Sequence, residues 1–167
     1  MEKADVFDVI DPAGLIQSQA VSSPEGEVRL NLNGATDQQT LAGAFLSHSI
    51  GAGVQHIAFA TDGIFEISEQ LRSAGFERLT IPANYYQDLG IRFDLDQKTL
   101  ADLRAGDILY DRDEMGEYCQ IYSKSFWGGF FFEIVERRGN YQGYGARNAR
   151  IRLASQMEEN RKAEPYD

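Results

Sequence analysis

The order of predicted elements from Val54 onward constrains the fold of this chain more than any other feature. VQHIAFA is typical of a strand, and TDGIFEISEQLRSAG has the apolar spacing of a helix that ends at Gly75. FERLTIP is predicted to be extended, ANYYQDL and DQKTLADLRAG to be short inserted helices, and ILYDR, EYCQIYSKS and FFFEIVERR to be strands; residues 146–162 are predicted to be helical. This order predicts an α+β fold built mainly on antiparallel strands.

The first fifty residues are predicted to form short strands and one helix. FDVID, LIQSQAVSS and EVRLNLN are typical of strands. In the third, Val28, Leu30 and Leu32 alternate with polar residues, which predicts a strand with one buried face. TDQQTLAGAFLSHS follows as a predicted helix with Thr36 or Asp37 as its N-cap.

Composition excludes several classes of function. The 167 residues carry a formal net charge of −10, which argues against nucleic acid as a partner because nucleic-acid binding depends on basic patches. Cys119 is the single cysteine, so a disulfide or a cysteine metal cluster is not expected. The acidic start lacks the features of a signal peptide, and the uncharged segment 38–61 is too polar for a membrane span. We therefore expect a cytoplasmic protein with no membrane partner.

Three predicted strands each place a polar side chain among apolar neighbours. His56 lies in VQHIAFA, Gln120 in EYCQIYSKS and Glu133 in FFFEIVERR. A carboxylate in so apolar a strand is costly unless it is paired or bound to a cation. Imidazole and carboxylate together are ligands of Zn, Mn and non-haem Fe, whereas Gln120 alone would indicate only a closed hydrogen bond.

The positions of these polar residues in the sequence also allow structural roles that involve no metal. A single histidine in a strand, such as His56, is more often a core or edge residue than a metal ligand. Glu133 could pair with Arg137 or Arg138 as a structural ion pair. His48, at the end of a predicted helix, is interpreted as a solvated or capping residue, and the aromatic group FWGGFFF as part of the core.

The amino-acid sequences of several segments resemble those of a known protein family. GAGVQHIAFATDGI, YCQIYSKSF and FFFEIVERRGNYQGYGARN resemble the second half of the catalytic C-terminal domain of 4-hydroxyphenylpyruvate dioxygenase, a vicinal-oxygen-chelate enzyme. The match runs from about Phe7 to Ala154. NYYQDLGIRFDL, ILYDRDEMGEY and GYGARNARIRLASQ are more similar to the dioxygenase-like C-terminal half of bacterial fusion proteins whose barrel acts as a 3-dehydroshikimate dehydratase.

The resemblance implies a vicinal-oxygen-chelate, or glyoxalase/dioxygenase-like, fold with a curved and mainly antiparallel sheet. Residues 1–50 would be the remnant of a first βαβββ module, residues 51–138 a complete βαβββ module with a helical insertion, and residues 139–167 a loop and C-terminal helix. We therefore expect the sequence to be part of a longer protein. Uncovered strand edges invite pairing, so we also expect a homo-oligomer.

The resemblance also implies a site. His56 matches the second histidine, and Glu133 the carboxylate, of a two-His-one-carboxylate iron centre. Fe(II) is the expected metal, with Mn, Mg, Co or Zn as alternatives, and a small 2-oxo acid or related carboxylate and O₂ are the expected partners. The remaining implied residues are Gln55 and Gln120 in catalysis and Ser18, Asn33, Tyr122, Phe131, Phe132 and Asn148 around the substrate.

Two positions depart from the family pattern. The other iron-binding histidine of the family lies on the opening strand of the preceding module, and His48 cannot replace it because it lies just before VQHIAFA. The family holds the substrate ring between two aromatic residues, where this chain has Tyr122 and Ala149. We expect weak binding of Fe(II) or Mn(II) and no oxidation of 4-hydroxyphenylpyruvate.

Three functions remain open from the sequence. The first is a metal-dependent dioxygenase-like domain. The second is a non-catalytic accessory domain of a 3-dehydroshikimate dehydratase, whose barrel carries the lyase chemistry. The third is a metal-binding chain that acts on an unrelated small acid.

Overall fold

The computed structural model describes residues 1–163 as two compact units, Met1–Gly53 and the residues from Val54 onward. Unit 1 contains four strands and one helix: β1 (Glu2–Lys3), β2 (Phe7–Asp11), β3 (Gly14–Ser22), β4 (Arg29–Ala35) and α1 (Leu41–His48). β3 pairs antiparallel with each of the other three strands.

The start of α1 differs from the prediction. The N-cap is Thr40, whose hydroxyl accepts a hydrogen bond from the Gly43 N–H at 3.0 Å, and neither Thr36 nor Asp37 has this role. The Asp37 carboxylate instead accepts from the Gln39 N–H at 2.8 Å, which closes a turn before the helix. Thr36, Asp37 and Thr40 are all residue types that can cap a helix. Because Asp37 closes the preceding turn, the helix begins after Thr40.

The apolar alternation in β4 predicts the strand but not its burial. Val28, Leu30 and Leu32 are 54%, 47% and 55% exposed, so the expectation of a buried face is wrong. Alternation shows that apolar side chains share one face of a strand, whereas burial also requires a second layer over that face.

Unit 2 contains a four-stranded sheet with the order β5–β8–β7–β6. Its strands are β5 (His56–Ala60), β6 (Leu109–Arg112), β7 (Gly116–Tyr122) and β8 (Phe131–Gly139). β5 and β8 are parallel, and the β6–β7 and β7–β8 pairs are antiparallel. The predicted α+β fold with a mainly antiparallel sheet is therefore confirmed.

Helices occupy the connection between β5 and β6 and the end of the chain. They are α2 (Ile64–Ser73), α3 (Ala83–Phe93), α4 (Gln97–Ala105) and α5 (Ala149–Ala163), with short 3₁₀ turns at Trp127–Gly129 and Ala146–Asn148. The predicted stop of α2 is confirmed, since Gly75 follows the helix with φ +77°. FERLTIP is extended but does not form a strand. It contacts the end of β7 through an isolated bridge between Arg78 and Ser123 and through the backbone hydrogen bond from the Leu79 N–H to the Tyr122 carbonyl.

The core of unit 2 lies where the inserted helices pack on the sheet. Its fully buried members include Ile64 of α2, Leu89 of α3, Leu103 of α4 and Ile121 of β7. Ile121 points away from the face that carries Gln120 and Tyr122, because neighbouring strand residues alternate. Among the described residues, no helix is long and apolar enough to cross a membrane.

The N-terminus of α2 is capped from the sheet. Gly63 at the N-cap has no side chain to offer, and the Glu136 carboxylate of β8 accepts the Ile64 N–H at 3.0 Å instead. Arg138 holds the same carboxylate at 2.7 and 3.1 Å. Burial opposes the charged form of Glu136, but these hydrogen bonds outweigh it, so its pKa lies below the usual value.

Candidate functional site

Strand register brings four polar groups onto one face of the unit 2 sheet. In β8, Phe131 lies beside His56 of β5, and Glu133 lies beside Tyr122 of β7. Gln120 is two residues before Tyr122 and therefore points to the same face. His56, Gln120, Tyr122 and Glu133 are referred to below as the polar cluster.

Two neutral donors fix one oxygen of the Glu133 carboxylate. Glu133 is 6% exposed, and its Oε1 accepts hydrogen bonds at 2.8 Å from both the Gln120 amide and the Tyr122 hydroxyl. The same Gln120 nitrogen also donates to the Tyr122 hydroxyl at 2.6 Å. Burial raises the pKa of Tyr122 well above its usual range, so the hydroxyl keeps the proton that it donates.

The second carboxylate oxygen faces the histidine. Glu133 Oε2 lies 3.6 Å from His56 Nε2, so the two residues that the resemblance assigns to one metal centre do lie together. The imidazole stacks on the Phe131 ring, with centroids 5.0 Å apart and planes 3° from parallel. Burial, the largest cause, lowers the pKa of His56, and Arg152 lowers it further while Glu133 raises it. A lowered pKa favours the neutral imidazole at pH 7, which is the form that binds metals.

The pairing of Glu133 with a neighbouring arginine, left open by the sequence, is wrong. Arg138 binds Glu136 and Glu117, which lie on the opposite face. Arg137 donates to the Gly143 carbonyl at 2.7 Å and lies over the Tyr118 ring at 4.2 Å. Neither arginine forms an ion pair with Glu133 in the described part of the chain.

A buried chain of hydrogen bonds holds the Gln120 amide in one orientation. The Asn148 amide donates to Gln120 Oε1 at 3.0 Å, which leaves Gln120 Nε2 for Glu133 and Tyr122. Asn148 in turn accepts from the Tyr85 hydroxyl at 3.1 Å. The single hydroxyl proton of Tyr85 is shared between Asn148 and the Tyr110 carbonyl of β6, which lies at 3.0 Å, and the Tyr85 oxygen accepts the Tyr110 N–H at 2.8 Å. The implied residue Asn148 therefore belongs to the site, whereas Tyr85 was missed because it lies within an ordinary amphipathic helix.

Close packing against Gln120 explains why position 145 is a glycine. Gly145 has φ +65°, and a Cβ at this position would lie 2.4 Å from Gln120 Oε1. A side chain here would therefore collide with the amide and would also strain the backbone. The segment YQGYGARN thus brings Asn148 to the cluster through a turn that only glycine fits.

The remaining implied residues are not all at the cluster. Phe131 stacks with His56, whereas Phe132 packs against Phe126 and Phe130 on the other face, so its implied role around the substrate stays a prediction. The reason is that consecutive residues of β8 point to opposite faces. Gln55 joins β8 through its carbonyl, which accepts the Phe131 N–H at 3.0 Å. In unit 1, Ser18 and Asn33 are cross-strand partners of β3 and β4.

Arg152 of α5 also reaches the cluster, although no sequence pattern distinguishes it from the neighbouring arginines. Its guanidinium carbon lies 5.6 Å from the Tyr122 ring centroid and 5.4 Å from that of Phe131. One of its nitrogens donates to Gln156 Oε1 at 2.6 Å. A helical spacing of four residues from Asn148 is the signal that could have indicated it.

The donor set fits a metal ion in part. An ion about 2.1 Å from each of two ligand atoms can bridge atoms that lie 3.6 Å apart, as His56 Nε2 and Glu133 Oε2 do. Within residues 1–163, no group of three or more His, Cys, Asp or Glu side chains could hold a metal. The polar cluster therefore offers two of the three ligands of a two-His-one-carboxylate centre.

The chain was compared with known proteins, and no family model matches it. It is 46% identical over 152 residues to a 3-dehydroshikimate dehydratase of Pseudomonas aeruginosa, covering 90% of this chain and 24% of that protein. It is also 36% identical over 138 residues to a 4-hydroxyphenylpyruvate dioxygenase of Legionella pneumophila, covering 81% of this chain and 39% of the relative. The chain is homologous to both enzymes. The resemblance read from the sequence is therefore confirmed.

Solved structures support the same relationship. A fusion protein of a xylose isomerase-like TIM barrel and a 4-hydroxyphenylpyruvate dioxygenase is 41% identical, with a TM-score of 0.76 over 93% of this chain and 25% of that one. A variant of 4-hydroxymandelate synthase from Streptomyces coelicolor is 30% identical, with a TM-score of 0.82 over 96% of this chain and 46% of that one. The predicted fold class is thus confirmed, and the chain spans less than half the length of each of these proteins.

Proposed function

We propose that this chain is a 4-hydroxyphenylpyruvate dioxygenase-like domain in which His56 and Glu133 are ligands of a divalent metal ion. Fe(II) is the first candidate, and Mn, Mg, Co and Zn are alternatives. The substrate would be a 2-oxo acid or related small carboxylate, with O₂ as the second reactant. The observation that carries the proposal is the 3.6 Å separation of His56 Nε2 and Glu133 Oε2 on one sheet face.

The hydrogen bonds around Glu133 support a ligand role. Since Oε1 is occupied by Gln120 and Tyr122, Oε2 is the oxygen left for a cation beside His56. Partners of this kind orient a metal ligand and fix its geometry. A two-His-one-carboxylate centre would need a third protein ligand from outside residues 1–163, so this chain alone should bind metal weakly.

The other groups of the cluster would position substrate rather than transfer protons. Gln120 is held by Asn148 and Tyr122, so its amide can orient a bound acid without changing charge. Phe131 supplies an apolar wall beside the imidazole. A bound Fe(II) would supply the redox chemistry with O₂. Gln55 in catalysis, and Ser18 and Asn33 in substrate binding, remain predictions.

Metal titration tests the proposal. Calorimetry with Mn(II) should show weak binding to the wild-type chain and a loss of at least about tenfold in affinity for His56→Ala and for Glu133→Gln. His48→Ala is the matched control, because this histidine lies in unit 1 and bonds the Ala44 carbonyl. Equal Mn(II) affinity in all four proteins would refute the role of His56 and Glu133.

The relatives favour a second candidate function. The 3-dehydroshikimate dehydratases of two Pseudomonas species are 46% and 44% identical to this chain, which spans only 24% and 23% of them. Under this alternative, the chain is an accessory domain that binds a small acid while another domain carries out the dehydration. Binding of 3-dehydroshikimate that persists unchanged in both His56→Ala and Glu133→Gln would favour the accessory function over the metal-dependent one.

A further inference from the structure

Arg152 is an arginine of α5 that lies beside the polar cluster without an acidic partner in the described residues, a lack that it shares with Arg112 and Arg137 of the sheet. Arg138 pairs with Glu136 and Arg147 with Asp111, whereas within residues 1–163 Arg152 forms no ion pair and makes its one hydrogen bond to Gln156. The chain holds 26 Asp and Glu residues against 16 Lys and Arg, so acidic groups are abundant. A half-buried guanidinium that is left with a neutral partner in such a chain is suited to an anion that arrives from outside.

The position of Arg152 connects it to the polar cluster. Its guanidinium lies over the rings of Tyr122 and Phe131, which contact Glu133 and His56 respectively. A guanidinium held over aromatic faces keeps N–H groups at its edge available for a carboxylate.

We propose that Arg152 is a specificity-determining residue that binds an anionic group of the substrate, at a point distinct from the ligand atoms of His56 and Glu133. This inference rests on the proposed function, since it takes the polar cluster as the place where the 2-oxo acid group binds. The substrate class is then a 2-oxo acid with a second carboxylate. Tyr122 and Phe131 form the surface between the two ends of such a molecule.

Pairs of 2-oxo acids with equal chain length, with and without a second carboxylate, test the proposed charge contact with Arg152 directly. We would measure the binding of 2-oxoglutarate and 2-oxoadipate against 2-oxopentanoate and 2-oxohexanoate, which lack the second carboxylate, with and without Mn(II). A charge-assisted contact with Arg152 should favour the dicarboxylates by about tenfold or more in the wild-type chain. Arg152→Met should remove this preference, and Arg152→Lys should restore part of it.

Arg150→Met is the matched control, because Arg150 is an exposed residue of the same helix and its loss changes the net charge equally. It should leave the preference unchanged. The Mn(II) affinity of Arg152→Met should be equal to or higher than that of the wild type, since a nearby positive charge has been removed. A lower Mn(II) affinity, as for His56→Ala, would show that Arg152 acts only by maintaining the site and would overturn the proposal.

The two proposals fail in distinguishable ways. Mn(II) binding that depends on His56 and Glu133, combined with no dicarboxylate preference or with a preference that persists in Arg152→Met, would overturn this inference alone. A preference that depends on Arg152 in a chain that binds no metal would overturn the metal proposal and leave the anion site in place. Failure of all four acids to bind the wild-type chain at millimolar concentrations would also overturn the role of Arg152.

Discussion

Replacing Asn148 by alanine should destabilise unit 2 and release the Gln120 amide. Asn148 is 1% exposed and joins Gln120 to Tyr85 through two hydrogen bonds. Tyr85 would keep its bonds to the Tyr110 backbone, whereas Gln120 Oε1 would lose its partner. A buried polar atom left unsatisfied costs about 1–3 kcal/mol and each lost hydrogen bond about 1 kcal/mol, so the free energy of unfolding should fall by about 2–4 kcal/mol.

Urea denaturation, monitored by near-ultraviolet circular dichroism, measures this change in the free energy of unfolding of unit 2. All eight tyrosines and the single tryptophan follow Val54 in the sequence, so the signal reports on that unit. Asn140→Ala is the control, because Asn140 is exposed. A double-mutant cycle with Gln120→Ala should give a coupling energy of about 1 kcal/mol or more. If Asn148→Ala is no less stable than Asn140→Ala, the buried hydrogen-bond chain does not hold the site in place.

Three further predictions concern the cap, the tight turn and the activity. Glu136→Gln should lower the stability of unit 2 by about 1–2 kcal/mol at pH 7, because the carboxylate caps α2. Since the folded pKa of Glu136 lies below its unfolded value of about 4.3, this difference should be present above that pH and vanish as the pH falls through the folded pKa, which unfolding at several pH values would show. Gly145→Ala should destabilise unit 2 by about 1–3 kcal/mol, because its Cβ would collide with Gln120 at a positive φ; a wild-type urea midpoint would contradict this. With Fe(II), ascorbate and 4-hydroxyphenylpyruvate, oxygen consumption should be no faster than for His56→Ala, and homogentisate formed at an enzyme-like rate would show that the missing ligand and Ala149 do not matter.

The sequence predicted the parts of the candidate site that depend on strand periodicity. Because side chains alternate along a strand, placing His56 and Glu133 in strands already gave each a face, and their convergence followed once the strands were neighbours. The same rule shows why the side chains of Phe132 and Glu133 point to opposite faces of the sheet. Asn148 came from the resemblance to a family, since no local pattern marks a loop asparagine as a partner of a distant glutamine.

Contacts between distant elements were decided by the tertiary structure alone. Tyr85 reaches Asn148 across 63 positions of the chain, and Glu136 caps a helix that begins 72 residues earlier. A sequence pattern records which residues share a face within one element, but not which element packs against that face. Leu30 and Leu32 have the alternation of a buried strand and are nevertheless exposed. Arg152 shows the converse, because only the packing of α5 over Tyr122 and Phe131 distinguishes it from Arg150 two residues earlier.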